Sequence, residues 1–268
     1  LILLDGVPVY NASHLFGFFS VFNADAINSV ELIKGGFPAR YGGRLSSVID
    51  IRMKEGNMKK ISGSASIGLI SSKLTLEGPI IKDKTSFIVS GRRTYIDVLA
   101  RPFILLANRS ALGTSEPGTT QKYRAYGGYY FYDLNAKINH KFSDKDRIYL
   151  SAYMGDDRFY FNEKSEYEDA TSKYESDYGA KTGWGNITSM LRWNHVLSPK
   201  MFSNVALTYS NYNMNIGYNS KDYALQKAQP EFNLEEEEFR ENFGFEYFSG
   251  IRDIGGKIDF DFVPSPQH

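Results

Sequence analysis

Four histidines, His14, His140, His195 and His268, are the chain's only imidazoles, and there is no cysteine. No two of the histidines have metal-ligand spacing, and without thiols there is no disulfide, thiolate metal site or Cys nucleophile. No Ser-His-Asp trio is favoured either, so neither an enzyme, a cofactor nor a metal is expected. GGFPARYGG, residues 35–43, is glycine-rich but lacks the Gly-Lys-Ser/Thr ending of a phosphate loop. Residues 156–178 carry eight carboxylates that could meet Ca²⁺, yet without EF-hand spacing. The run Glu235–Glu238 reads as a solvated loop face. Lys+Arg is 31 and Asp+Glu is 31, and this balance gives no electrostatic case for nucleic acid. What remains is binding. The aromatic stretch LFGFFSVF, residues 15–22, either packs an interior or floors a ligand site through Phe16, Phe18 and Phe19. Tyr160 and Tyr167 contact ligand or brace the loop that carries them.

The elements that must position these residues are strands. From Ile61 onward the period is two, as in Tyr130-Tyr132-Leu134-Ala136-Ile138 or Ile148-Leu150-Ala152-Met154. Eight strands are expected, at roughly 60–70, 72–80, 85–96, 128–142, 146–157, 183–197, 201–217 and 239–263. Their connections alternate: short at 80–84, 143–146 and 198–200, long at 97–127, 158–182 and 218–238. That alternation puts every long loop at one end, the layout of an outer-membrane barrel. A soluble sandwich also alternates, but its strands centre near about 5–6 residues. Aromatic content is 15%, and Phe87, Phe142, Trp193 and Phe262 gather near the short turns, where an interfacial girdle would sit. No run approaches the ~18 apolar residues of a membrane-crossing helix. The other face carries Lys73, Glu77, Asp133, Lys137, Lys141, Arg192, Asp259 and Asp261, which must line a wet or plugged lumen. The fold class is therefore all-β, a membrane β-barrel segment of about eight antiparallel strands, with a small α+β remnant before it.

That remnant, residues 1–55, is compact and Gly-rich, and residues 56–268 form the barrel part. An Asp5-Gly6 turn joins two short strands, Asn23 caps a short helix at 24–27, and strands follow at 29–33 and 46–52. Gly35, Gly36, Gly42 and Gly43 permit positive φ in tight turns. Glu31, Lys34, Arg40 and Arg44 are candidate polar contacts to the inner wall. The wording LILLDGVPVYN, then NADAINSVELIKGGFPARYGGRLSSVIDI, resembles the last part of the plug domain of TonB-dependent outer-membrane receptors, most of all those of Bacteroidota-type bacteria. Val30, Glu31, Leu32, Lys34, Gly35, Tyr41 and Gly42 carry the likeness, and GSASIGLISSKLTLEGPIIKDKTSFIVSGRRTYID is similar to the first barrel strands of that group.

The resemblance implies ligand-gated, energy-coupled uptake of a scarce nutrient through a plugged barrel in the outer membrane of a Gram-negative bacterium. It implies TonB with its inner-membrane energising complex as partner and outer-membrane lipid as surroundings. A small-molecule, glycan or peptide ligand is implied as well, with room for a surface lipoprotein. The family more often has Arg where Lys34 stands here, and lysine keeps the charge but loses the bidentate fork. Such transporters have 22 strands, so the chain is expected to be a fragment. The alternative is a small eight-stranded outer-membrane barrel with a structural or adhesive role, which has no use for the first 55 residues. Four structural expectations follow from these readings. A single antiparallel sheet should run from about 60 to 263, with residues 1–55 against its polar face. Odd positions in 253–261 should face inward, and strand 60–70 should be an edge.

Overall fold

The computed structural model describes residues 1–36, 38, 40–41, 47–111 and 117–264. The N-terminal unit is built on a four-stranded sheet of β1 (Ile2–Leu4), β2 (Val7–Pro8), β5 (Ile27–Ile33) and β6 (Val48–Met53), ordered β2-β1-β6-β5. Between them β3 (Ser13–His14) and β4 (Phe19–Ser20) pair as a small hairpin. The Asp-Gly turn forms as its residue types dictate, with φ of 49° at Asp5 and 87° at Gly6. Asn23 caps a single 3₁₀ turn, Ala24–Ala26, by accepting from the Asp25 amide. Leu4, Val9, Val21, Ile51 and Met53 pack into a core that Tyr153 completes from outside the unit.

The second part is one antiparallel sheet of eight strands in sequence order. They are β7 (Ser62–Ile67), β8 (Ser71–Ile81), β9 (Thr85–Thr94), β10 (Thr120–Lys141), β11 (Asp146–Glu168), β12 (Ser172–Ser198), β13 (Met201–Gln226) and β14 (Glu237–Phe262). The eight expected strands are present. β7 and β14 are edges and do not pair with one another among the described residues, so these strands form an open wall rather than a small closed barrel. The N-terminal unit packs on one face of it. On β14 the odd residues turn inward: Asp253 receives the Tyr10 hydroxyl, and Asp261 meets Arg40. Ile254, on the opposite face, is 82% exposed. Among the described residues no helix is long and apolar enough to cross a membrane.

The connections correct the expectation. The stretch 158–182 is not a loop. β11 runs to Glu168, β12 resumes at Ser172, and Asp169 ties the turn between them by accepting from the Thr171 and Ser172 amides, 2.7 Å each. β13 likewise extends to Gln226, and the stretch 97–127 holds helix α1 (Ile96–Ala111) and the start of β10. The physical reason lies in the pattern. Alternation continues past residue 157, but its polarity is exchanged. On β13 the outward residues are Val205, Leu207 and Tyr209, then Asn211, Asn213 and Asn215, while the inward residues change from Asn204, Thr208 and Ser210 to Met214, Ile216 and Tyr218. The exchange is centred on one row across five strands, Phe131↔Asp157↔Trp184↔Met214↔Ser249, with Asn211, Asn213 and Arg252 already on the outer face just below it on β13 and β14. Below these the outer face is apolar. Above the row the outer face is charged and the inner face aromatic. A reading keyed to a fixed apolar face sees the strands end there.

Candidate functional site

Just below the exchange row the N-terminal unit meets the wall through a buried charged cluster. β3 places His14, 1% exposed, against the inner face of β10 and β11. Its Nε2 lies 2.8 Å from Asp133 Oδ1 and its Nδ1 2.5 Å from Asp157 Oδ2. The ring stacks on Phe131, centroids 4.0 Å apart and planes 6° from parallel. Arg92 Nε donates to Asp133 at 2.7 Å, and the same guanidinium reaches the Ser20 carbonyl at 2.6 Å. The Tyr153 hydroxyl donates to Asp133 at 2.9 Å, and that of Tyr129 donates to Asp157. A Cβ at residue 155 would collide with the Tyr153 hydroxyl, so Gly155 keeps that approach open. Burial works against a charged imidazole at His14. The two carboxylates outweigh it, and the group holds its proton above the usual histidine range. With Arg92, two cations then face two carboxylates, and the buried charge balances.

Much of the rest of the interface is polar in the same way, beside an apolar contact of Val7 with Tyr149 and Met190. Lys137 lies 3.1 Å from Asp5. Asn23 donates to Ser90 at 2.6 Å. Several wall side chains end on backbone carbonyls of the unit: Arg192 on Asp5 at 2.9 Å, Asn186 on Asn11 at 2.8 Å and Ser210 on Pro8 at 2.7 Å. Such bonds hold the path of the chain. Each is worth only ~0.5–1.5 kcal/mol net, because water replaces it on separation.

Immediately after His14 the backbone is left-handed at three consecutive residues, with φ of 48° at Leu15, 54° at Phe16 and 105° at Gly17. For the two non-glycine residues that is strained. The Leu15 amide is fixed by the Tyr129 hydroxyl at 2.8 Å and by Asp157 at 3.2 Å. The loop thrusts Phe16 and Phe18 into the open, 79% and 81% exposed. Phe16 lies 5.1 Å from Trp184 of the wall, while Phe19 leans on Phe131 at 5.6 Å.

The other expected residues separate. Arg40 reaches Asp261 at 3.4 Å. Glu31 and Lys34 are exposed at the end of β5, with Glu31 opposite Asp50 in the β5–β6 ladder and neither in an ion pair among the described residues. Gly35 and Gly36 have φ of 139° and 58°. Gly42, Gly43 and Arg44 lie outside the described residues. Tyr160 turns to the outer face beside Gly128 and Asp97, away from Phe16. Tyr167 faces inward near the β11–β12 turn, donating to Asp169 at 3.0 Å. His140 and His195 sit on the outer face, bound to Thr85 and Asp146 at 2.6 Å each. Sequence reading passed over His14, whose partners lie 119 and 143 residues away. No group of three metal-ligating side chains forms among the described residues.

No curated protein matches the chain. Among solved structures, the siderophore receptor PirA from Acinetobacter baumannii is 14% identical with a TM-score of 0.40, over 99% of this chain and 51% of that one. A ferric enterobactin receptor (PfeA) mutant from Pseudomonas aeruginosa is 12% identical with a TM-score of 0.39, over 99% and 52%. The FrpB iron transporter from Neisseria meningitidis is 11% identical with a TM-score of 0.38, over 99% and 55%. The chain spans about half the length of these proteins. Residues 1–48 match the model of the TonB-dependent receptor plug domain.

Proposed function

We propose that this chain provides part of a TonB-dependent transporter of a Gram-negative outer membrane, with residues 1–55 as the end of the plug and residues 56–268 as barrel wall. The observation that carries the reading is the plug match lying on the very unit that packs, by polar contacts, against the inner face of an outwardly apolar sheet. A ligand arriving from outside meets Phe16 and Phe18 on the strained loop. Displacement of that loop pulls on Leu15 and His14, and so on the charged cluster. TonB, working with its inner-membrane complex, draws on the loosened plug and opens a path, with no covalent chemistry. The transported compound is a scarce nutrient, and the wider group of ligands is small molecule, glycan or peptide.

The described wall has no cysteine of its own, so a thiol introduced beneath the N-terminal unit reports on this gate against the parent protein as background. Ser90 is fully buried beneath Asn23. In cells, a Ser90→Cys protein should fractionate with the outer membrane. It should react with a maleimide severalfold faster when TonB is present and energised than when TonB is deleted. Equal reaction with and without TonB, or no reaction in either, overturns energy-coupled gating.

A further inference from the structure

Above the exchange row the inner face of the wall is aromatic, and there no Lys or Arg stands at an inward position of β10 to β14 among the described residues. Phe161, Tyr178, Tyr218 and Phe243 form one row across β11 to β14, with centroids 5.9, 5.1 and 5.7 Å apart and each ring set edge to face with the next. Phe239, Phe245 and Tyr247 continue it along β14, and all three are exposed. The charged residues at these inward positions, set by strand parity from Asp157, Trp184, Ser210 and Asp253, are acidic: Glu163, Asp222, Glu237 and Glu241. Every Lys and Arg at this height on β11 to β14 falls on the outward parity, from Arg158 and Lys164 to Lys221 and Arg240. Toward the rim the inner face hollows into a concavity of about 500 Å³, walled by Tyr123, Tyr167, Tyr174, Phe239 and Asp222, with Lys122 and Glu166 at its edge. That is the size of a small-ligand pocket.

The segregation is not demanded by a membrane, because it lies beyond the row where the apolar outer face stops. Nor is it demanded by the N-terminal unit, whose contacts end near Phe16 and Trp184. Ring faces carry negative quadrupole charge and attract cations, and a carboxylate among them adds to that field. Asp222 accepts hydroxyl hydrogens from Ser176 at 2.7 Å and from Ser220 at 2.5 Å, which keep its carboxyl below the usual range and ionised. An anionic ligand would find no cation among the inward residues, and Lys122 at the edge of the concavity is already paired with Glu166 at 2.7 Å. A cation with an apolar or aromatic body would find both halves of its chemistry matched.

We propose that this inner rim is the recognition surface for a positively charged ligand with an apolar body, its cation seated among Tyr123, Tyr167, Tyr174 and Phe239 beside Asp222. The proposal rests on the transporter reading only for the direction from which ligand arrives.

The test is calorimetric binding to the intact protein extracted in detergent, where no TonB is needed. Failure here leaves the gating reading intact, and failure of the gating test leaves this one standing. The probes are the amidated tetrapeptides Arg-Phe-Arg-Phe and Glu-Phe-Glu-Phe, benzyltrimethylammonium and ferric enterobactin. The basic peptide should bind at least tenfold more tightly than the acidic one. Asp222→Asn, which keeps an acceptor for Ser176 and offers Ser220 an amide N–H in place of the second oxygen, should weaken the basic peptide about tenfold and leave the acidic one unchanged. Binding of benzyltrimethylammonium as tightly as the basic peptide assigns the site to small cations, and weaker binding assigns it to peptides. Either outcome upholds a cation site. Preference for the acidic peptide or for ferric enterobactin, or no heat with any probe, overturns it.

Discussion

The two halves of the wall are made of the same strands in the same register, yet they solve opposite problems. Below the row Phe131↔Asp157↔Trp184↔Met214↔Ser249 the outer face becomes apolar within a few residues, and the inner face spends its polar groups on the N-terminal unit. Above the row the outer face is wet, laced with pairs such as Lys164–Asp177 and Lys181–Glu246, and the rings turn inward. Parity is constant while polarity is not. Side-chain direction along these strands is therefore a geometric fact, and which direction is buried depends on the surroundings at that height.

The comparison can be broken hardest at the cluster below the row. Asp133→Asn leaves Arg92 and His14 short of a buried counter-charge and should cost about 3–5 kcal/mol of docking of the N-terminal unit. Maleimide reaction of Ser90→Cys in purified protein measures that opening directly, and an unchanged rate would show that the cluster does not hold the unit. Next comes the outer face. Leu150→Arg, in the apolar band, should destabilise the wall in lipid by about 2–4 kcal/mol. Asn215→Arg, on the same face above the row, should fall within about 0.5 kcal/mol. Equal costs in denaturant titrations would erase the distinction between the halves. Smaller still is Phe243→Ala, which removes one edge-to-face contact from an open row and should cost about 0.5–1.5 kcal/mol.

The last test is pH. The His14 pKa is raised in the folded state, so its stabilisation is fully present below the unfolded value of about 6.5. It is lost as pH rises through the folded value. Opening measured by Ser90→Cys labelling, corrected for thiolate content, should therefore increase from pH 6 to alkaline pH. His14→Gln should flatten that rise, and a rise that persists in the variant would assign it to another group.

Strand number, the Asp5-Gly6 turn and the inward set Asp253, Lys257, Asp259 and Asp261 were legible because each rests on local pattern. The upper halves of β10 to β13 were not, because their alternation reverses sign at the row, and a window that expects one apolar face reads a reversal as an ending. His14 was illegible for a different reason. Its meaning is supplied by Asp133 and Asp157, two strands of the wall that approach it only in three dimensions. Tyr160 shows the same limit on a smaller scale: one residue of parity separates it from the inward Phe161, and loop composition alone carries no parity.

The row has a consequence for assembly. A one-residue slip of any strand puts charges into the apolar band and is forbidden at once. A two-residue slide keeps every side chain on its own face, so parity alone tolerates it. Yet such a slide lifts the boundary in that strand by about 7 Å relative to its neighbours, stranding polar side chains in the apolar band or rings in water. The aligned row thus acts as a waterline, levelling each strand against the next during insertion and setting the depth at which the finished wall floats.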